Sequence, residues 1–382
     1  DGDGYADLIA GAPGDDSGRG RAYVYHGGPA GLTAGPAAWT ATGDDSTSRF
    51  GTSVGTAGDV NGDGYADVVV GAYGYDGRRG MAQVFHGSAS GLEAGPAWTA
   101  SGEGSLDEFG RSARTAGDVN GDGYADVIVG ACRYNSTQGK IYVYYGSESG
   151  LWGAASWTAN GEGTENLFGF DVATAGDVNR DGYADVVVGA PGHDDYQGRA
   201  YVYHGSTTGL DAPFSVFTAP VNHERLGWSV GTAGDLNGDG YADVVLGAYG
   251  YNNDQGRTYV HYGSASGAGE EPAWIGTGEL GDDFFGVAVG TAGDVNGDGF
   301  SELLAGATGA DTVNLYWGND GGGREVLARQ LRGDDSGLPV QPWGVSHIQD
   351  IFQVSMRITH PLGKGRARLQ VQACPPGVPF GD

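Results

Sequence analysis

The sequence contains few cysteines, few basic residues and no long apolar run. Its 382 residues include only two cysteines, Cys132 and Cys374. They lie in different repeat contexts, so we do not expect them to pair, and the chain is not a disulfide scaffold. No run of about 18 apolar residues is present, which argues against membrane insertion. No signal peptide is visible either, but the chain opens inside a repeated motif, so we expect it to be part of a longer protein.

Acidic residues outnumber basic ones by 48 to 20, which gives a formal net charge of -28. So negative a chain repels the phosphates of nucleic acids and the headgroups of anionic lipids. The charge balance therefore predicts no nucleic-acid partner and no binding to an anionic membrane surface.

A nine-residue acidic loop recurs along the chain. Four copies read Asp-x-Asn-x-Asp-Gly-x-x-Asp, at residues 59–67, 118–126, 177–185 and 235–243. The last copy, at 294–302, ends in Glu, and the first copy, at 1–7, begins inside the motif. The complete copies start 59, 59, 58 and 59 residues apart. Such a fixed period indicates a tandem repeat, which must be recognised before any division into domains.

Each repeat is predicted to form four short strands. In the repeat spanning 43–102, a small-residue strand at 52–58 precedes the acidic loop and a short apolar strand at 68–70 follows it. An alternating strand at 81–85 and an outer strand at 96–100 complete the unit. Four strands in roughly 60 residues are typical of a β-propeller blade. We therefore predict an all-β fold, a seven-bladed propeller with six acidic-loop blades and one degenerate blade.

Two aromatic positions recur with the repeat. The outer strands carry a bulky ring at Trp39, Trp98, Trp157, Phe217 and Trp274, which we interpret as packing between blades. A second ring precedes the glycine after the third strand. It is His26, His86, Tyr145, His204, Tyr262 or Trp317. A position that accepts three kinds of ring favours packing over an imidazole base.

The pattern decays after Gly318. Residues 333–336 repeat the Gly-Asp-Asp-Ser of 43–46, and Trp343 with Gly344 stands where Phe-Gly is expected. Alternating segments at 352–358 and 366–372 predict a hairpin. We assign residues 1–333 to blades one to six, and residues 334–382 to a degenerate seventh blade. The alternative for 334–382 is the start of a further β domain.

The acidic loop has the ligand pattern of a calcium site. Positions 1, 3, 5 and 9 bear side-chain oxygens, position 7 offers a backbone carbonyl, and the glycine at position 6 permits the turn. Three carboxylates that converge within a few ångströms repel one another, and a divalent cation reverses that repulsion. Zinc is disfavoured because the loops contain no His or Cys. A solvated turn is the alternative for a single loop, but the fixed repetition favours five to six Ca²⁺ sites.

The predicted metal ligands come from all six loops. They are Asp1, Asp3, Tyr5, Asp7, Asp59, Asn61, Asp63, Tyr65, Asp67, Asp118, Asn120, Asp122, Tyr124, Asp126, Asp177, Asn179, Asp181, Tyr183, Asp185, Asp235, Asn237, Asp239, Tyr241, Asp243, Asp294, Asn296, Asp298, Phe300 and Glu302.

These motifs resemble a known family. The calcium-type loops, Phe-Gly at 50–51, 109–110, 168–169 and 285–286, and Gly-Ala-Pro at 11–13 and 189–191 are similar to the FG-GAP repeats of integrin α-subunit propellers. The similarity covers roughly residues 1–318, although Leu226 replaces the Phe of the fifth repeat. The regular copies look most like secreted bacterial FG-GAP proteins. The resemblance implies a propeller with calcium at one face and ligand recognition at the opposite face.

By the same resemblance, the loops between second and third strands belong to the ligand face. Tyrosine and arginine there suit a recognition surface. The candidates are Tyr73, Tyr75, Arg78, Arg79, Arg133, Tyr134, His193, Tyr196, Tyr249 and Tyr251.

The sequence favours an adhesion or recognition module that binds a protein or a glycan outside the cell, either secreted or at the cell surface. A structural spacer within a larger secreted protein remains an alternative. A hydrolase on a propeller scaffold is the second alternative, but no Ser-His-Asp signature, zinc-ligand set or phosphate loop is present, and calcium would engage the repeated carboxylates. We therefore expect no catalytic residues and no enzyme activity.

Overall fold

A computed structural model of the protein describes residues 2–32 and 35–319, together with the backbone of two strands at 329–332 and 352–355. The described part is built from small antiparallel sheets that follow one another along the chain. Each sheet uses strands that are consecutive in sequence. This is the blade arrangement that the repeat predicts, and the fold is an all-β propeller.

Four sheets have all four strands of a blade. The second sheet contains β4 (Ser53–Gly58), β5 (Asp67–Ala72), β6 (Met81–Phe85) and β7 (Trp98–Ser101). The third contains β8 (Phe109–Gly117), β9 (Asp126–Ala131), β10 (Lys140–Tyr144) and β11 (Trp157–Asn160). The fourth contains β12 (Val172–Gly176), β13 (Asp185–Ala190), β14 (Arg199–Tyr203) and β15 (Pro213–Thr218). The fifth contains β16 (Ser229–Gly234), β17 (Asp243–Ala248), β18 (Arg257–His261) and β19 (Trp274–Thr277).

Two sheets have three strands within the described residues. The first contains β1 (Leu8–Ala12), β2 (Arg21–Tyr25) and β3 (Trp39–Thr42), which correspond to the second to fourth strands of a blade. The sixth contains β20 (Phe285–Gly293), β21 (Glu302–Ala307) and β22 (Thr312–Tyr316), which correspond to the first three. The strands predicted for the second repeat are confirmed, with shifts of one or two residues at some ends.

The acidic loops join the first and second strands of each blade, and tight turns join the second and third. The turns are α1 (Asp15–Gly18), α2 (Tyr75–Arg78), α3 (Tyr134–Thr137), α4 (His193–Tyr196) and α5 (Tyr251–Asp254), with a 3-10 turn at Thr308–Ala310. Inside α1 to α5 the backbone is left-handed, as at Asp76 with φ 47 and Asn135 with φ 47. Asp, Asn, Ser and Gly suit this conformation better than most residues.

The hydrophobic core lies between neighbouring blades. One cluster joins Val69, Val84 and Trp98 of the second blade to Phe109 and Tyr142 of the third. The predicted role of the outer-strand rings is confirmed, because each ring packs on the third strand of the next blade. The ring pairs are Trp39 with Phe85, Trp98 with Tyr144, Trp157 with Tyr203, Phe217 with His261 and Trp274 with Tyr316.

The Phe-Gly and Gly-Ala motifs meet at the same interfaces. Phe109 is buried and forms a parallel bridge with Gly80 of the preceding blade. The following Gly110 has φ +77, and a Cβ there would meet the carbonyl oxygen of Met81. A Cβ at Gly71, in the Gly-Ala of the second blade, would meet the carbonyl oxygen of Gly110. Only glycines allow the two backbones to approach so closely, which explains why the motifs recur as a pair.

The assignment of 334–382 to a seventh blade lies mostly outside the described residues, as does Cys374. Within the region, β24 (Phe352–Ser355) pairs antiparallel with β23 (Arg329–Arg332), which lies in the segment assigned to blade six. The segment 366–372 of the predicted hairpin is also outside the described residues. Cys132 is a free, buried thiol, and burial raises its pKa to about 11. None of the helices in the described residues has the length and apolar character needed to cross a membrane.

Candidate metal sites and recognition face

In each acidic loop, backbone N–H groups of the loop donate hydrogen bonds to carboxylates of the same loop. In the second blade, the N–H of Asp63 donates to Asp59 Oδ1 at 3.1 Å and the N–H of Gly64 donates to Asp59 Oδ2 at 2.9 Å. The N–H of Tyr65 donates to Asp63 Oδ1 at 2.9 Å. The same three bonds recur in the loops of the third to sixth blades. The repeated sequence therefore folds into one repeated loop geometry.

The ninth position anchors each loop to its sheet. Asp67 is buried, and its two oxygens accept the N–H groups of Val60 and Gly87, each at 2.8 Å. Asp126, Asp185 and Asp243 are buried in the same way and accept the equivalent N–H groups. Burial raises the pKa of each of these three carboxyls to about 7, although the N–H bonds oppose the shift. A nearby cation would favour their ionised form.

The sixth loop brings three carboxylates together. Oxygens of Asp294, Asp298 and Glu302 lie within 4.8 Å of one another. A divalent cation with oxygen ligands at 2.3–2.6 Å fits among oxygens at that spacing. Among the described residues, this is the one such cluster of three. Glutamate is one methylene longer than aspartate, so the carboxylate of Glu302 reaches further into its loop than Asp67 does. Asp1 lies outside the described residues.

The aromatic ring at position 7 has a contact that the sequence did not predict. The ring of Tyr124 lies against Gly62 of the preceding loop, where a Cβ would be 2.7 Å from a ring carbon. Tyr65, Tyr183 and Phe300 lie in the same way on Gly2, Gly121 and Gly238. Arg180 replaces this glycine in the fourth loop, has φ 59, and extends its guanidinium to Gly240. The rings therefore connect adjacent loops, and Arg180 alters one connection.

The ring that follows the third strand contacts the acidic loop of its own blade. His86 Nδ1 lies 3.5 Å from Asn61 Nδ2, and His204 Nδ1 lies 3.3 Å from Asn179 Nδ2. The His204 ring also stacks on Phe214, with centroids 4.3 Å apart. These contacts agree with the packing role that the sequence favours.

The predicted ligand-face residues divide into two groups. Arg78 and Arg133 both pair with the buried Glu108, and Tyr73 lies beneath the guanidinium of Arg111. Tyr249, which is 8% exposed, packs edge-on against Trp228, and Arg225 lies over both Tyr249 and Tyr196. Arg111 and Trp228, which several of these residues contact, lie where the inner strands of their blades begin.

The other candidates contact their own blades or a neighbouring blade. Tyr134 lies under Lys140 and Tyr251 under Arg257. His193 pairs with Glu162 at 3.2 Å, and Arg79 pairs with Asp76 at 3.3 Å. Tyr75 packs into the hydrophobic cluster between the first and second blades.

Sequence reasoning missed the residues at the centre of this face. They are Glu108, Arg111, Phe170, Asp171 and Trp228. The signal was a position that varies while its neighbours repeat: Thr52, Arg111, Phe170, Trp228 and Val287 each directly follow the Phe-Gly or Leu-Gly of their repeat. These five positions are far apart in the sequence, so they can be recognised as one site only when the blades are arranged around one axis.

Acidic loops at one end of the blades, with Phe-Gly and Gly-Ala pairs between the blades, define a β-propeller of repeated acidic-loop blades. The chain belongs to the FG-GAP repeat family. The FG-GAP repeat model matches residues 1–25, 50–85, 226–261 and 285–324, and an FG-GAP-like repeat model matches residues 118–188. Together these segments span more than half of the chain.

The curated relatives that the chain matches include integrin α-subunits. The chain is 29% identical over 215 residues to integrin alpha-5 of Xenopus laevis, a match that covers 53% of this chain and 20% of the relative. It is 32% identical over 216 residues to integrin alpha pat-2 of Caenorhabditis briggsae, covering 51% of this chain and 17% of the relative. Integrin alpha-7 of Homo sapiens is 36% identical over 154 residues, a match that covers 39% of this chain and 13% of the relative. The chain thus spans about a fifth or less of these relatives.

Two solved structures match at lower sequence identity. The Dos1 propeller covers 78% of this chain and 61% of its own, with 10% identity and a TM-score of 0.42. The rhamnogalacturonan lyase PL11 of Bacillus licheniformis covers 95% of this chain and 70% of its own, with 13% identity and a TM-score of 0.41.

Proposed function

We propose that the protein is an extracellular, calcium-binding recognition module that binds a protein or glycan ligand and does not catalyse a reaction. The observation that carries this proposal is the acidic loop geometry repeated in five described blades. Oxygen ligands without His or Cys favour calcium over zinc, and their number in a flexible loop favours calcium over magnesium. Five to six such sites are expected along the chain.

The family supports the extracellular and adhesive parts of the proposal. Integrin α-subunits are cell-surface adhesion proteins, and this chain shares their repeat over about half of its length. Calcium sites of extracellular modules are typically weak, with dissociation constants of about 10⁻⁴ to 10⁻³ M, so they fill where calcium is millimolar. A secreted or cell-surface location therefore suits the loops.

Removal of calcium tests the metal sites. In about 1 mM calcium each site should add roughly 0.4 to 1.4 kcal/mol to the free energy of unfolding, so five or six sites should add several kcal/mol. We expect a clear fall in Tm when EDTA replaces calcium, measured by calorimetry. Isothermal titration of the metal-free protein should show five to six bound calcium ions.

A pair of variants makes the test specific. Asp298→Asn removes a carboxylate from the sixth loop and should lower the stoichiometry by one. Asp76→Asn, in the exposed turn α2 at the opposite end of the second blade, should leave it unchanged. An unchanged Tm in EDTA, or equal stoichiometry in wild type and Asp298→Asn, would contradict the proposal.

Ligand recognition is tested separately. A glycan array and a pull-down from extracellular matrix proteins, each run in calcium and in EDTA, should show binding that calcium supports. Turnover of a common polysaccharide or peptide by the purified protein would instead favour the hydrolase alternative. If neither assay detects binding while the protein still binds calcium, the spacer alternative would be favoured.

A further inference from the structure

A cavity of about 390 Å³ opens where the inner strands of five blades begin. Its walls include the residues that follow Phe-Gly or Leu-Gly in each repeat, among them Arg111, Phe170 and Trp228. The inner strands run from this end to the acidic loops, so the cavity lies at the end of the blades opposite those loops. We call it the axial cavity. Its volume lies within the range of small-ligand sites, about 300–1,000 Å³.

Three arginines beside the axial cavity converge on one carboxylate. Glu108 is 1% exposed, and it pairs with Arg78, with Arg111 at 3.5 Å and with Arg133 at 3.0 Å. One buried negative charge thus holds three guanidiniums, and two positive charges remain uncompensated by Glu108. Arg111 also lines the cavity, so its guanidinium joins the arginine cluster to the cavity wall. This cluster presents guanidinium N–H groups to an incoming anion.

Aromatic rings form the wall next to the arginines. The Phe170 and Trp228 rings lie 4.3 Å apart, and the guanidinium of Arg111 lies 4.4 Å above Phe170. Both rings are only half-buried, so part of their surface faces the cavity. The packing of Trp228 against the buried Tyr249 fixes its orientation.

A fixed polar group completes the wall. Asp171 accepts the Ser112 hydroxyl at 2.8 Å and the Val230 N–H at 2.9 Å, and it lies 4.0 Å from Arg114. Its carboxylate is therefore held in one orientation at the edge of the cavity. Asp171 retains lone pairs that can accept hydroxyl groups from a ligand.

We propose that the axial cavity binds a sugar acid, a pyranose ring that carries a carboxylate, within an acidic polysaccharide. The carboxylate pairs with the Arg111 guanidinium, the ring packs its C–H face on Trp228 beside Phe170, and a hydroxyl donates to Asp171. The inference rests on the proposed recognition function and names the ligand class for it. A half-exposed aromatic wall beside a guanidinium fits a pyranose acid, which presents an apolar C–H face and a carboxylate together, better than an acidic peptide, whose carboxylates lie on flexible apolar stems.

The test uses oligosaccharides of defined charge. A tetrasaccharide of mannuronate is titrated into the calcium-loaded protein by calorimetry, and the carboxyl-reduced tetrasaccharide of mannose serves as the neutral probe. We expect the acid to bind at least about tenfold more tightly than the neutral form, because a charge-assisted pair with arginine is lost. Equal binding of the two sugars, or no binding of the acid, would overturn the proposal.

Three variants locate the site. Arg111→Ala and Trp228→Ala should each weaken binding of the acid about tenfold. Arg111→Ala leaves Arg78 and Arg133 on Glu108, so the fold should persist, and Tm confirms this. Arg21→Ala is the matched control, because Arg21 is partly exposed and pairs with Asp15 in the first blade. Binding that is unchanged in Arg111→Ala would assign the sugar to another site, such as the calcium ions in the acidic loops.

The remaining outcomes separate the inference from the proposed function. Tighter binding of tetraglutamate than of the sugar acid, lost in Arg111→Ala, would overturn the sugar class and favour an acidic protein segment. Calcium-dependent ligand capture that is unchanged in Arg111→Ala and Trp228→Ala would overturn the inference and leave the recognition function in place.

Discussion

Glu108 is unusual among the residues that precede Phe-Gly. The equivalent positions are Arg49, Leu167, Arg225 and Phe284, and all five have a positive φ between 54 and 60. Only Glu108 among them bears a negative charge, and it is fully buried. A buried carboxylate is stable when it is paired, and here three arginines supply the partners. The residue therefore organises the arginine cluster beside the axial cavity.

Neutralisation of Glu108 should destabilise the fold. Glu108→Gln keeps the shape of the side chain but leaves three guanidiniums without their shared anion. Removal of one partner of a buried pair costs about 3–5 kcal/mol. The arginines are partly exposed, so we expect roughly 1–3 kcal/mol from urea unfolding. Glu162→Gln, at a half-exposed carboxylate paired with Arg199, should cost under about 1 kcal/mol. Equal losses of stability in Glu108→Gln and Glu162→Gln would show that burial of Glu108 adds nothing to the strength of its ion pairs.

At the scale of the element, the acidic loop combines a structural role with its proposed metal-binding role in nine residues. Its first half folds around Asp59 and Asp63, and its ninth residue ties the loop to the sheet through two backbone N–H groups. The anchoring carboxylate is buried for this reason, and its raised pKa follows from that burial. The structural role and the proposed metal-binding role therefore meet at one side chain.

The raised pKa values predict how pH affects the metal-free protein. Asp126, Asp185 and Asp243 have pKa values of about 7 in the fold, against about 3.9 for an unfolded aspartate. Between these values the folded state binds more protons, so stability falls as pH rises from about 4 through 7. In EDTA we expect a lower Tm at pH 8 than at pH 5, with at most about 1.4 kcal/mol per pH unit for each group.

Calcium and a neutral variant check the origin of this dependence. Calcium binds the ionised carboxylates, so it should stabilise the protein more at pH 8 than at pH 5. Asp126→Asn removes one titrating group and should reduce the slope of stability against pH in EDTA. An unchanged slope would attribute the dependence to general repulsion within an acidic chain.

At the scale of the whole molecule, the blades are held together by contacts between neighbours. Trp98 is 8% exposed, its ring lies 4.6 Å from that of Tyr144, and its Nε1–H donates to the carbonyl oxygen of Trp152 at 3.0 Å. Tyr144 and Trp152 belong to the next blade. Each repeat buries its apolar surface only against its neighbours, as in other repeat proteins.

Loss of one interface ring should weaken the whole propeller. Trp98→Ala removes a buried ring and a hydrogen bond, and we expect a loss of about 3–5 kcal/mol in the free energy of unfolding. Denaturant unfolding followed by circular dichroism measures this loss. Trp152→Ala is the control, because Trp152 is 54% exposed and its loss should cost much less. A similar cost for both would argue against packing between blades as the source of stability.

The sequence by itself determined the repeat, the strands within each blade and the ligand pattern of the acidic loops. These features depend on residues close together in the chain, such as Asp59, Asp63 and Gly64, so their spacing is sufficient. Only the tertiary structure revealed the axial cavity. Arg111, Phe170 and Trp228 lie about 60 residues apart, and they meet because each begins the inner strand of a different blade. The arginine cluster at Glu108 depends on the tertiary structure only in part, because Arg111 is three residues away in the chain, whereas Arg133 reaches Glu108 from another loop of the same blade and Arg78 from the second blade.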